Sequence, residues 1–251
     1  MKKFLLGTVA LIAMGTVATA ADLGARPVYT KAPPIPVMNW TGFYVGGGGG
    51  YGMWDGENDA SVGGVPVPGS TRTGGRGYFG TVSGGYDWQI NPTWVVGVMA
   101  DAQFGDIKGD ITYGAALPFF QGRTKNDLNY AAGVRVGYLI APNVLSYVNG
   151  GYSHAEFTGT NLTVFGTPTG FTTNRAKFDG WFIGGGFEHT LNIFGISAPG
   201  WFLKTEYRLA EYDRKSINAF VGPVDTLIAD NFKPYVQTIS TQISYKFNWG
   251  R

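Results

Sequence analysis

No cysteine occurs in the 251 residues, which excludes a disulfide framework and any thiolate-bound metal. An exported fold of modest size without disulfides must be held by its core, by a metal or by a membrane. Charge is scarce as well. Asp, Glu, Lys and Arg make up 14% of the chain, against about a quarter in ordinary soluble domains. The net charge is +2 and no Lys/Arg run is present, so the chain has no electrostatic footprint for nucleic acid. Histidine appears only twice, which leaves little material for metal or acid–base chemistry. Beyond the N-terminus there is also no long apolar stretch of the kind that forms a membrane helix.

Glycine (40 residues) and aromatics (15%) are abundant instead, and the mean hydropathy is close to zero. A transmembrane β-barrel reconciles low charge with average hydropathy, because lipid-facing apolar and lumen-facing polar residues alternate along each strand. The N-terminus adds an export signal: Met1-Lys2-Lys3, an uncharged apolar run from Phe4 to Val17, then Ala18-Thr19-Ala20. That order predicts a signal peptide over 1–20 with cleavage after Ala20. Pro27, Pro33, Pro34 and Pro36 then predict an extended, Pro-rich periplasmic linker over 21–39, leaving 40–251 for the barrel.

Eight segments alternate with period 2: Thr41–Trp54, Arg76–Ile90, Trp94–Ile107, Asn126–Ile140, Asn143–Phe157, Ala176–Thr190, Gly200–Asp213 and Pro234–Trp249. The fourth is the clearest, with Leu128, Tyr130, Ala132, Val134, Val136, Tyr138 and Ile140 on one face. The fifth alternates least, and its lipid face is not assigned. Short Pro-containing turns at Asn91-Pro92 and Ala141-Pro142-Asn143, and a longer one ending near Pro199, alternate with polar or Gly-rich loops at about 55–75, 108–125, 158–175 and 214–233. Short periplasmic turns and long external loops are the outer-membrane arrangement. The expected fold is therefore all-β, an eight-stranded antiparallel transmembrane β-barrel with both termini periplasmic. Trp40, Tyr51, Trp54, Trp88, Trp94, Tyr138, Trp201, Tyr235 and Trp249 are expected to form two interfacial girdles. The glycine runs, Gly46 to Gly50 among them, read as close backbone approach within strands, since no helix start follows to make a phosphate loop.

The opposite parity carries the charges. Asp87, Asp101, Glu188 and Glu206 balance Arg135, Lys204, Arg208 and Lys246 in number, with Gln103 and Gln242 beside them. Charges in a narrow interior must be paired, and eight strands leave room for little more than side chains. The expectation is a lumen charge network that plugs the barrel, with a narrow polar path as the alternative. Catalytic residues are not legible. His154 and His189 fall at opposite ends of antiparallel strands, and Ser153 and His154, as adjacent strand residues, face opposite sides, so Ser153, His154 and Glu156 do not form a relay. No paired metal ligands appear, and no cofactor is predicted. The loop aromatics Tyr113, Phe119, Phe120, Phe165 and Phe171 leave open stacking on a flat ligand such as heme.

The segments Ala21-Asp22-Leu23, Asn39-Trp40-Thr41-Gly42-Phe43-Tyr44-Val45-Gly46, Arg135-Val136-Gly137-Tyr138, Lys204-Thr205-Glu206-Tyr207-Arg208 and Ile243-Ser244-Tyr245-Lys246-Phe247 together resemble the small alphaproteobacterial outer-membrane surface antigens, within the wider OmpA/OmpX-like and opacity-type barrels. The resemblance spans nearly the whole chain. It implies insertion by the outer-membrane assembly machinery through a terminal aromatic signal, matched here by Tyr245, Phe247 and Trp249, although Gly250-Arg251 follow where many relatives end on the aromatic. The function expected is non-enzymatic: an envelope-structural and surface-contact role, with a small porin and a heme-binding or other ligand-binding surface as alternatives. Expected partners are outer-membrane lipid and lipopolysaccharide, the assembly machinery, and a host or environmental ligand at the long loops.

Overall fold

In the computed structural model, residues 39–113, 117–193 and 196–247 are described, with backbone only for 113, 117–120, 192–193 and 196–197. The expected signal peptide, all of the linker but Asn39, and Trp249 lie outside the described residues. Eight long strands coincide with the eight alternating segments: β1 (Gly42–Val62), β3 (Thr71–Gln89), β4 (Trp94–Tyr113), β5 (Leu117–Ala141), β6 (Val144–Phe157), β9 (Ala176–Ile193), β10 (Ile196–Tyr212) and β12 (Val224–Phe247). Four short strands, β2 (Val65–Pro66), β7 (Asn161–Val164), β8 (Thr167–Thr173) and β11 (Lys215–Val221), bring the described sheet to twelve.

All pairings are antiparallel, and they run in a cycle, β1-β3-β4-β5-β6-β9-β10-β12 and back to β1. The closing pair is long, from Phe43 opposite Phe247 to Val62 opposite Ile228. A cyclic sheet leaves no unpaired edge and separates an outer from an inner face. Alternation places Phe43, Val45, Tyr78, Val82, Val98, Phe104, Val134, Ile183, Phe187, Tyr207 and Ile239 on the outside, all exposed, whereas Lys204, Glu206, Arg208, Gln242 and Lys246 are buried inside. Apolar outside and charged inside is the inverse of a soluble barrel.

Three expectations need correction. The segments expected to be long loops are mostly strand: β1 runs on to Val62, β3 begins at Thr71, β4 reaches Tyr113, and β12 begins at Val224. They read as loops because their outer positions are charged (Asp55, Glu57, Arg72, Lys108 and Lys125), which removes the apolar alternation while leaving the ladder intact. Where β6, β9 and β10 stop, the short strands take their places. β5 pairs with β7, β7 with β8, β8 with β11 and β11 with β12, so the closed sheet continues upward. Second, the turn ending near Pro199 is shorter than expected, since β10 starts at Ile196 and absorbs an irregularity between Ser197 and Phe202 with Gly200 at φ +82°. Third, Trp40 and Trp54 are not girdle residues. They are 0% and 2% exposed and point inward. Trp54 neighbours the outward Met53, so strand parity itself demands an inward ring.

The remaining surface aromatics do form belts. Near the short turns, Phe43 and Tyr86 meet at 4.6 Å, Trp94 and Tyr138 at 5.2 Å, and Trp201 and Tyr245 at 5.1 Å; towards the other end, Tyr51 and Tyr78 meet at 5.1 Å. The fifth segment's outer face is Val144, Ser146, Val148, Gly150, Tyr152 and His154, set by its register with β5 and β9 and by inward Leu145, Tyr147 and Asn149.

Candidate functional site

The eight charged residues predicted for the interior are all buried, and the structure brings them into two neutral clusters. In the first, at the short-turn end, the Arg135 guanidinium donates to both oxygens of Asp87 (Nε to Oδ1, 2.7 Å) and to Glu188 Oε2 (2.9 Å). Lys246 Nζ closes the square, 2.7 Å from Asp87 Oδ2 and 3.3 Å from Glu188 Oε1. In the second, Arg208 forks onto Asp101 (2.9 and 2.7 Å) and reaches Glu206 Oε1 (2.8 Å), while Lys204 Nζ lies 3.2 Å from Glu206 Oε2. Each cluster holds two acids and two bases. The bidentate arginine geometry is the strong form of this interaction, and the pairing removes the penalty of a lone buried charge.

Neutral side chains tie the clusters together. Tyr147 and Asn149, both on β6, donate to Glu206 Oε2 at 2.9 Å, and the Tyr147 ring lies 5.3 Å from the Arg135 guanidinium and 5.8 Å from Lys204 Nζ. Tyr44 stacks on Arg135 at 4.6 Å. Glycines make the room: a Cβ on Gly186 would sit 2.8 Å from the Tyr147 hydroxyl, and one on Gly97 would collide with Asp87.

Two apolar layers bracket the charges. At the short-turn end Trp40, Val95, Leu145 and Phe202 form a cluster with exposures of 0%, Trp40 packing on Phe202 at 5.0 Å. Lys246 Nζ sits 4.4 Å over the Trp40 ring, which joins layer and network. At the other end Trp54, Phe157, Phe178 and Phe232 pack edge to face at 5.4 to 5.9 Å, within a larger cluster that includes Phe79, Ile107 and Phe182. Sequence reading missed this layer. Its signal is present, since Phe157, Phe178 and Phe232 share parity with inward polar residues, but the sequence reading places Trp54 in a girdle, Phe232 in a loop, and gives Phe157 and Phe178 no role.

The sheet splits the hydrolase-like trio: His154 Nε2 lies 3.8 Å from Glu156 Oε1 on the outer face, while Ser153 is on the other side. Ser153 Oγ faces inward, 2.9 Å from the Tyr212 hydroxyl. His154 faces outward, with Nδ1 2.8 Å from Asp179 Oδ1 and its ring stacked on Tyr130 at 4.4 Å. Among the described residues no group of three or more His, Cys, Asp or Glu could hold a metal, and no helix is long and apolar enough to cross a membrane. Of the C-terminal aromatics, Tyr245 and Phe247 lie on the outer face, 4.9 Å apart. Of the loop aromatics, Phe165 is exposed beside the β7–β8 turn, and the side chains of Tyr113, Phe119 and Phe120 lie outside the described residues.

A closed antiparallel sheet with an apolar, aromatic-belted exterior and a charged, packed interior defines the class of integral outer-membrane proteins that cross the bilayer with strands. The chain belongs to the outer membrane protein beta-barrel domain family, whose model matches residues 8–247, and it is a protein of the cell outer membrane. It is 26% identical over 258 residues to the 31 kDa outer-membrane immunogenic proteins of Brucella melitensis and Brucella suis, covering 98% of this chain and 100% of each relative. Among solved structures it is similar to the outer membrane protein OprG from Pseudomonas aeruginosa, with a TM-score of 0.56 and 14% identity over 83% of this chain and 98% of that one.

Proposed function

We propose that the chain is an eight-stranded transmembrane barrel with a sealed interior, both termini periplasmic, acting as a non-enzymatic structural and surface-contact component of the outer membrane. The observation that carries this reading is the interior itself: two self-neutralising ion clusters lie between two apolar layers, an arrangement that supports a closed lumen. The eight long strands supply the span. From Trp94 to Phe104, belt to belt, ten residue steps on β4 rise about 33 Å, or roughly 25 Å at a ~40° tilt, which matches the apolar band of such barrels. Ser153 and His154 facing opposite sides of the sheet argue against hydrolysis. The immunogenic relatives in Brucella support a surface role, here assigned to the strands that rise above the upper belt. The pairs Arg72–Asp55, Lys108–Asp106, Arg175–Asp127 and Lys233–Glu211 on that outer surface suit contact with lipopolysaccharide headgroups, and outward Tyr245 and Phe247 suit recognition by the assembly machinery.

Planar-bilayer recording of the refolded protein tests the reading. The expected result is a silent bilayer. Stable unitary steps that change when Arg135 or Glu206 is neutralised would establish the porin alternative instead, and a saturable heme titration of the same sample would establish the third.

A further inference from the structure

Above the four-ring layer, where the sheet passes from β6, β9 and β10 to the short strands, lies a cavity of about 30 Å³, large enough for one or two non-hydrogen atoms. Phe157 and Phe232 form its floor, and Ile111 and Ile217 part of its wall. Its one charged lining group is Asp230, 4% exposed, whose Oδ1 has no hydrogen-bond partner. A second orphan acceptor lies on the neighbouring strand, outside the cavity lining. Asn58 is fully buried and its Oδ1 is also unpartnered, its amide being committed to Thr73 Oγ1 at 2.8 Å. Asn58 lies opposite Phe232 and Ala60 opposite Asp230 in the β1–β12 ladder, so Asn58 and Asp230 are diagonal neighbours on the inner face. A buried acceptor without a donor is costly, and Asp230 Oδ1 in a cavity lined by two aromatic rings describes a place for a missing donor.

Asp59 on β1 and Arg214 before β11 act on Asp230 through the sheet, but they stand on its outer face, where Arg214 pairs with Asp59 and with Glu57 (3.2 Å). Arg72 on β3 is 3.4 Å from Asp55 and 4.0 Å from Glu57, and Lys215 on β11 is turned to Asp179 at 2.9 Å. The lining groups from β4, β5, β6 and β9 (Ile111, Thr124, Phe157 and Ala176) are uncharged. Among the described residues these outer-face charges pair with one another, and no ion pair reaches Asp230 on the inner face.

We propose that this cavity binds a small ammonium head group, with Asp230 as counter-charge and the rings of Phe157 and Phe232 as the apolar, cation-tolerant lining. A primary ammonium supplies three donors in the volume of one atom, and aromatic faces favour such weakly hydrated cations over sodium. Desolvation, with the Asp59 charge added, pushes the Asp230 carboxyl up to about 7. The proton therefore competes for the site in acid, and binding strengthens on going from pH 5.5 to pH 8.

The test is a titration of the refolded full chain, ¹³C-labelled at isoleucine methyls, with methylammonium chloride at pH 8, and with sodium chloride and methanol as matched controls. Saturable shifts at Ile111 and Ile217 with methylammonium alone, at least tenfold weaker at pH 5.5 and abolished by Asp230→Asn, are the expected result. The proposal is overturned if Asp230→Asn titrates like the parent, if methanol or sodium gives the same curve, or if no saturable shift occurs.

Discussion

Arg135 is the residue on which the lower ion cluster turns. It satisfies Asp87 bidentately and Glu188 singly, with side-chain exposures of 1% or less throughout. Replacing it by leucine leaves two carboxylates with Lys246 as their sole cation, and breaking a buried pair in this way costs about 3–5 kcal/mol. Urea unfolding of the protein in lipid vesicles, followed by tryptophan fluorescence, should show a loss of that size for Arg135→Leu. A change below about 1 kcal/mol would mean that water reaches the cluster and screens it. Gly97→Ala tests the same cluster without removing a charge. The added methyl collides with Asp87 and should destabilise by about 1–3 kcal/mol through overpacking.

At the level of single strands, the two faces respond oppositely to charge. Val134 is central between the aromatic belts on β5 and faces outward, 59% exposed, so Val134→Arg should cost about 2–4 kcal/mol in a bilayer. Lys108→Gln, above the belt, breaks only an exposed pair with Asp106 (2.8 Å) and should be near neutral. Both are read in the same unfolding experiment. Strand parity of this kind was legible in β3, β4, β5, β10 and β12, where lipid-facing apolar residues oppose inward polar ones. It was not legible in β6, whose inner face carries Leu145, Tyr147 and Phe157 while its outer face carries Ser146, Gly150 and His154, so packing inside the sheet masks the membrane signal. The upper halves of β1, β3, β4 and β12 were hidden for a different reason. Water and headgroups solvate their outer side chains, and a strand with a charged outer face has the composition of a loop. Asp230, in that upper region, gives it a pH response. Because its carboxyl is raised to about 7, the folded state holds a proton that the unfolded chain releases near pH 4. Stability therefore falls as pH rises from about 4 to 7 and is flat above. Amide exchange of β11 and of β12 residues 224–232 should accelerate over that window, and Asp230→Asn should abolish the dependence.

For the molecule as a whole, the proposed seal is built in series. The Trp40–Val95–Leu145–Phe202 layer, the two ion clusters, and the Trp54–Phe157–Phe178–Phe232 layer follow one another inside the sheet. The charge network was foreseeable from counts alone, since equal numbers of inward acids and bases must pair in a space that narrow. The apolar layers were not, because an inward aromatic in a membrane strand differs from a girdle aromatic only by parity. Series blocking makes a specific demand on conductance. Opening one end with Trp40→Ala, or the other with Phe157→Ala together with Phe232→Ala, should leave the bilayer silent, because the bidentate arginine pairs remain between the layers. Only a variant that also separates the ions, such as Trp40→Ala combined with Arg135→Ala and Lys246→Ala, removes two consecutive barriers, and small flickering currents are then expected as the remaining layer fluctuates. Steady current from Trp40→Ala alone would show that the ion clusters are permeable as they stand, and the interior would then be a gated channel with Trp40 as its gate.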